Sequence, residues 1–105
     1  MVEEINHIWV SGLRAIETKT GKWFIEAVET KPEERGKGYG KELIRHTINY
    51  LSHNGMKEVS CTIGEKNVKS KHLHQGCGFI STKEIPMNPW GEVEEGRILY
   101  KLKIQ

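Results

Sequence analysis

A glycine-dense turn, Arg35-Gly36-Lys37-Gly38-Tyr39-Gly40-Lys41, joins two runs of different periodicity and constrains this chain more than any other stretch. Residues 23–30 before it read as a strand, and residues 42–53 after it repeat at helical spacing. A strand that passes through glycines into a helix presents unpaired backbone N–H groups at the helix N-terminus, which behaves as roughly half a positive charge. Lys37 and Lys41 add full charges to that field, and the glycines let an anion approach the main chain closely. The expected ligand is a phosphorylated cofactor.

Short elements surround this unit. Residues 5–10 and 13–18 are β-type runs separated by Ser11-Gly12, and Lys19-Thr20-Gly21-Lys22 is a hairpin turn into the third strand. Pro32 ends that strand, because proline has no N–H to give a ladder. Leu43, Ile44, Ile48 and Leu51 form one stripe of a helix over residues 38–54, which Asn54-Gly55 stops. Residues 59–63 alternate as a strand, and Asn67 N-caps a short helix reaching Gln75 and closed by Gly76. Residues 79–85 are a further strand, residues 87–96 a loop, and Ile98, Tyr100, Leu102 and Ile104 one face of a last strand. The order is β-β-β-α-β-α-β-β, an α/β (α+β) arrangement. Without repeats or a linker, residues 1–105 read as a single domain.

Three phosphate-binding glycine patterns compete. A Walker A loop needs GxxxxGK followed by Ser or Thr, whereas Gly36 to Gly40 is one residue short and Glu42 follows Lys41. A dinucleotide fingerprint needs GxGxxG, and the spacing here is GxGxG. In the third, residues 35–40 match the R/Q-x-x-G-x-G/A signature of the GNAT superfamily, the acyl-CoA-dependent N-acyltransferases. Pro32-Glu33-Glu34 resembles the family's lead-in, and Leu43-Ile44 its hydrophobic pair on the central helix. Asn67-x-x-Ser70-x-x-Leu73-x-x-x-Gly76-x-Gly78-Phe79 resembles its second cofactor motif. The resemblance covers about residues 20–104.

This resemblance implies a mixed, mostly antiparallel central sheet and acetyl-CoA (CoA) as cofactor. The backbone amides of Arg35, Gly36, Lys37, Gly38, Tyr39, Gly40 and Lys41 would hold the CoA pyrophosphate. The main chain of Val28, Glu29 and Thr30 would pair with the pantetheine arm like another strand, where the third and fourth strands splay apart. Asn67 and Ser70 look like the helix residues that contact the pantetheine and phosphate region. The implied activity is an N-acetyltransferase, moving an acetyl group to a primary amine by direct attack. The alternative is an acyl-CoA-binding module without turnover.

The chemistry sets its own demands. A lysine-type amine with a pKa of about 10.4 is neutral in only about one molecule in 2,500 at pH 7, which adds roughly 4.6 kcal/mol to the barrier. The departing thiolate gains from a proton donor. Family members often carry a tyrosine acid seven residues after the motif asparagine; that position is His74 here, and an imidazole can also exchange a proton. Glu26 is the candidate base, on the face that alternation shares with Val28 and Thr30, and Thr62 stands where some relatives have a glutamate. Trp90 is a candidate lining for an acceptor pocket. Cys61 reads as a small buried hydrophobe, and Cys77 as an inert core thiol, the alternative being a thiol near the acyl group.

Sixteen basic residues against fourteen acidic ones leave a net charge of +2, which argues against nucleic acid as partner. No apolar run approaches the roughly 20 residues of a membrane span, the N-terminus lacks a signal-peptide pattern, and two cysteines without metal-type spacing fit a reducing compartment. A cytoplasmic protein with no membrane partner is expected. Relatives usually carry a further strand and one or two helices before the region that begins here, so the resemblance implies a short form. It would have an open acceptor site for an amine-bearing small molecule or protein, or a wall completed by a second copy in a homodimer.

Overall fold

The structure is a computed structural model that describes residues 2–5, 8–30 and 39–104, with side chains described over 13–26 and 40–104. Its elements run β1 (Val2–Ile5), β2 (Ile8–Lys19), β3 (Lys22–Thr30), α1 (Tyr39–Ser52), β4 (Glu58–Gly64), α2 (Val68–Gly76), β5 (Ile80–Ser81) and β6 (Arg97–Lys103). This is the element order expected from sequence. The strands form one six-stranded sheet of order β1-β2-β3-β4-β6-β5, antiparallel throughout except where β3 meets β4.

Three strand boundaries differ from expectation. The strand expected over residues 5–10 is displaced: β1 lies at Val2–Ile5, and residues 8–10 begin β2. Ser11-Gly12 does not separate two strands: β2 runs through it, pairing Ser11 with Thr30 and Gly12 with Glu29. The ladder tolerates the glycine because an irregularity sits beside it, where β3 advances from Glu26 to Glu29 while β2 advances from Arg14 only to Gly12. The strand expected over residues 79–85 is reduced to Ile80–Ser81. Thr82 directs both its N–H and its hydroxyl to the Leu99 carbonyl at 2.9 Å, and its hydroxyl oxygen accepts the Glu84 N–H at 3.2 Å. That local turn draws the chain away from β6.

α1 packs against β2, β3 and α2 through the stripe read from sequence. Leu43, Ile44 and Leu51 are buried, Ile48 is partly so, and each fully buried side chain of this kind contributes about 1.5–3 kcal/mol. Thr47, also buried, donates its hydroxyl to the Leu43 carbonyl at 2.8 Å. Gly55, at φ 87°, closes the helix and lets the Met56 N–H return to the Leu51 carbonyl. Val59, Cys61, Ile63 and Tyr100 complete the core beneath the helices.

α2 ends one turn feature later than expected. Gly76 is still helical, and the left-handed residue is Gly78 at φ 97°. With Gly78 in that conformation, the Phe79 N–H reaches the His74 carbonyl at 3.0 Å. The Phe79 ring thereby meets the His74 imidazole edge-on, centroids 5.3 Å apart at 82°.

Candidate active site

β3 and β4 run parallel and pair at Lys22↔Glu58, Trp23↔Val59 and Phe24↔Ser60, where their ladder stops. Beyond it, β3 continues to Thr30 bonded to β2, and β4 continues to Gly64 bonded to β6. The lower end is pinned by the Gly21 carbonyl, which accepts the Lys57 N–H at 2.8 Å and the Glu58 N–H at 3.1 Å. The upper end opens because the extra β3 residue between Glu26 and Glu29 raises local twist just past the last rung. The splay expected from the motif resemblance is present.

A cavity of about 260 Å³ occupies the gap. β3 contributes Phe24, Ile25 and Glu26 to its wall, β4 contributes Cys61 and Thr62, and α2 with its cap contributes Asn67, Ser70 and His74. Glu94 and Arg97, from the approach to β6, complete it. Cross-strand register puts Ile25, Cys61, Ile63 and Tyr100 on the helix face of the sheet, and Phe24, Glu26, Ser60 and Thr62 on the other. The gap thus connects the two faces, with His74 and Ser70 at one mouth and Glu26 and Thr62 at the other.

His74 is buried, at 4 % exposure, although it stands on a short polar helix. Its Nδ1 lies 2.8 Å from the Ser70 carbonyl, an acceptor that fixes the proton on Nδ1, so Nε2 carries the lone pair of the neutral ring. The Ser70 hydroxyl is 3.4 Å from the same nitrogen. Burial pushes the His74 pKa below the usual imidazole value, and the Ser70 carbonyl opposes this only in part. Asn67 caps α2 by accepting the Ser70 N–H at 3.1 Å. Glu26 reaches the cavity but is engaged across the β2–β3 ladder, where Arg14 donates Nε–H at 2.6 Å and Nη2–H to the same Oε1.

Of the residues in the glycine turn, Arg35, Gly36, Lys37 and Gly38 lie outside the described residues. Tyr39, Gly40 and Lys41 form the first turn of α1, whose leading N–H groups have no carbonyl partners within the helix. The Lys41 ammonium lies over Gly76, where an added Cβ would come within 3.3 Å of Nζ, so it rests at the negative end of α2. Val28, Glu29 and Thr30 are described in backbone only. They sit on the part of β3 whose inner edge has no β4 partner.

Cys61 is deeply buried, and desolvation pushes its thiol up to about 12 against the attraction of Arg97. Burial also raises Cys77, opposed by Arg45 and Lys41, and its thiol points to the Lys41 carbonyl at 3.9 Å. Trp90 is 61 % exposed and does not line the cavity.

The sequence reading missed Glu94 and Arg97, placing the first in a featureless loop. That segment is a closed hairpin: Met87 bridges Val93, the Asn88 side chain accepts the Trp90 and Glu92 N–H groups, and the Glu94 N–H donates to the Pro86 carbonyl at 2.7 Å. At its end the Thr62 hydroxyl donates to Glu94 Oε1 at 2.9 Å and accepts from Arg97 Nε at 2.9 Å. The linear signal was faint: Thr62 in place of a family glutamate, with acidic residues just ahead of the last strand.

Comparisons agree with this geometry. The model of the acetyltransferase (GNAT) family matches residues 4–79. The L-amino acid N-acyltransferase MnaT of Escherichia coli K12 is 33 % identical over 60 residues, which cover 57 % of this chain. The chain spans about a third, 35 %, of that relative's length. Among solved structures, the fold resembles the IAA acetyltransferase of Bacillus cereus at a TM-score of 0.82 and 21 % identity, covering 98 % of this chain and 75 % of that one. It also resembles a GNAT family acetyltransferase of Elizabethkingia anophelis with acetyl-CoA bound, at a TM-score of 0.83 and 18 % identity, covering 98 % and 74 %. A splayed parallel strand pair followed by a capped helix, with a family match over most of its length, makes this chain a member of the acetyltransferase (GNAT) family.

Proposed function

We propose that residues 1–105 act as one unit that transfers an acetyl group from acetyl-CoA to a primary amine by direct attack. The observation that carries this reading is the end of the β3–β4 ladder at Phe24↔Ser60, which opens a passage between the two faces of the sheet. A thin, linear thioester arm fits such a gap, because the inner edge of β3 offers it unpaired backbone groups. The relative from Escherichia coli is named an N-acyltransferase of L-amino acids, and the Elizabethkingia anophelis structure has acetyl-CoA bound, which supports both the donor and an amine acceptor.

In this reading the backbone of residues 35–41 holds the pyrophosphate at the N-terminus of α1, and Val28, Glu29 and Thr30 pair with the pantetheine arm. Asn67 and Ser70 flank that arm, and Glu26, tied to Arg14, forms part of the wall. His74 serves the departing sulfur at Nε2. Its low pKa keeps the imidazolium scarce at pH 7 and makes that imidazolium a ready donor to a thiolate whose conjugate acid has a pKa of about 8.5. Cys61 takes no part as a nucleophile: with a thiol pushed up to about 12, its thiolate is only about one part in 10⁵ at pH 7. This favours direct transfer over an acyl-enzyme.

The test is an incubation of the protein with acetyl-CoA and a panel of L-amino acids, spermidine and a short peptide with a free N-terminus. Free thiol and acetylated amine are then measured together. Equal amounts of the two are expected. Thiol release without acetylated amine, or no thermal shift with CoA, overturns the reading. A shift without transfer favours a binding module.

A further inference from the structure

We propose that Glu94 receives the acceptor's amino group, binding it as a cationic primary amine and taking the protons its nitrogen must lose before and on bonding to the acyl carbon. This assignment rests on the acyl-transfer reading above and deepens it.

The first support is a hydrogen-bond chain with a fixed direction. Arg97 donates Nε–H to the Thr62 hydroxyl oxygen at 2.9 Å and Nη2–H to the Thr62 carbonyl at 2.6 Å. Arg97 has no acceptor and the carboxylate no donor, so the hydroxyl proton goes onward to Glu94 Oε1 at 2.9 Å. Among the described residues, Oε2 accepts no hydrogen bond, Arg97 Nε lying 3.8 Å away. One oxygen is therefore held and the other is left for a donor. An ammonium or amine supplies such a donor, and a carboxylate or phosphate does not.

The second support is contrast with the other carboxylate of the cavity. Glu26 accepts two hydrogen bonds from the Arg14 guanidinium at one oxygen, whereas Glu94 accepts one, from the Thr62 hydroxyl, and faces the Arg97 guanidinium only as a longer ion pair at 3.8 Å. The third is position. Thr62, and with it Glu94, belongs to the sheet face opposite the helices, while His74 comes from α2. Direct transfer needs a proton taken from nitrogen and one given to sulfur, and two groups at opposite mouths of the gap meet that need without interfering. The closed hairpin and the Glu94 N–H bond to Pro86 keep the carboxylate in place.

In the step, the N–C bond forms and the C–S bond breaks with no change of oxidation state. The ammonium first gives one proton to Glu94 Oε2, which passes it to solvent at 31 % exposure and so frees the nitrogen lone pair; the second proton leaves nitrogen by the same route as the amide forms. The sulfur leaves with a proton from His74.

The test is Glu94→Gln, which retains an oxygen for the Thr62 hydroxyl but cannot take the proton. Against the best amine of the panel, kcat at pH 7 is expected to fall about 100-fold or more, with acetyl-CoA affinity unchanged. The residual rate should climb toward wild type as pH rises and the free amine becomes abundant. Glu94→Asp should recover part of the rate, and Glu95→Gln on the exposed neighbour should leave it unaltered. If Glu94→Gln fails to fold, Thr62→Val decides instead: a fall of about tenfold supports the assignment, and a wild-type rate overturns it. A Glu94→Gln protein within threefold of wild type overturns the assignment alone, whereas a wild type that transfers nothing sinks the transferase reading and this one with it.

Discussion

His74 ties the site to the stability of the fold through its protonation. In the unfolded chain it titrates near 6.5, and burial lowers that value in the native state. Between the two values the unfolded state binds the extra proton, so stability is full above about pH 6.5 and is lost as pH falls toward the native pKa. Thermal midpoints measured from pH 7.5 down to 5.0 should decline, and in His74→Gln that decline should flatten. Cys61 behaves oppositely in kind: its thiol, pushed up to about 12, should resist iodoacetamide at pH 8 in the native protein and react at once in denaturant. His74 could be found from sequence because it stands at a fixed spacing from Asn67 on one helix. Glu94 could not, because its meeting with Thr62 spans 32 residues and depends on the β4–β6 register.

Glycines decide where the elements end, and their conformations are only partly readable. The Thr20-Gly21 turn and the Asn54-Gly55 stop carried unmistakable composition, and both adopt positive φ as expected. Ser11-Gly12 carried an equally strong turn signal yet lies inside a strand, since a ladder irregularity and a turn recruit the same residues. At the end of α2 the sequence offers Gly76 and Gly78, and only the hydrogen bonds show that Gly78 turns the chain. Gly78→Ala should cost about 1–2 kcal/mol for the left-handed backbone. Its Cβ would also press on Leu102 Cδ1 at 3.2 Å, so the His74–Phe79 contact should loosen with it. The expected readouts are a fall in the thermal midpoint of several degrees and a His74 pKa nearer 6.5 by NMR titration. The gap predicts a further pattern: amides on the inner edge of β3 past Phe24 should exchange quickly in the free protein and slow markedly with acetyl-CoA.

At the scale of the molecule, the sheet is two half-sheets, β1-β2-β3 and β4-β6-β5, joined along a short parallel seam and braced by α1. A ligand that bridges the halves should stabilise the whole. Acetyl-CoA at 100 times its Kd adds about 2.7 kcal/mol. For a chain of 105 residues this corresponds to a rise in melting temperature on the order of 10 °C. ATP at the same concentration should give none. The seam has another consequence, for solubility. Two bare strand edges on a surface would invite neighbouring molecules to add strands and grow into aggregates. Here the two edges face each other inside the sheet, across a slot closed at the Gly21 end, and not on its outer rim, which β1 and β5 form. The chain can keep reactive backbone exposed to a slender guest without offering it to its own copies.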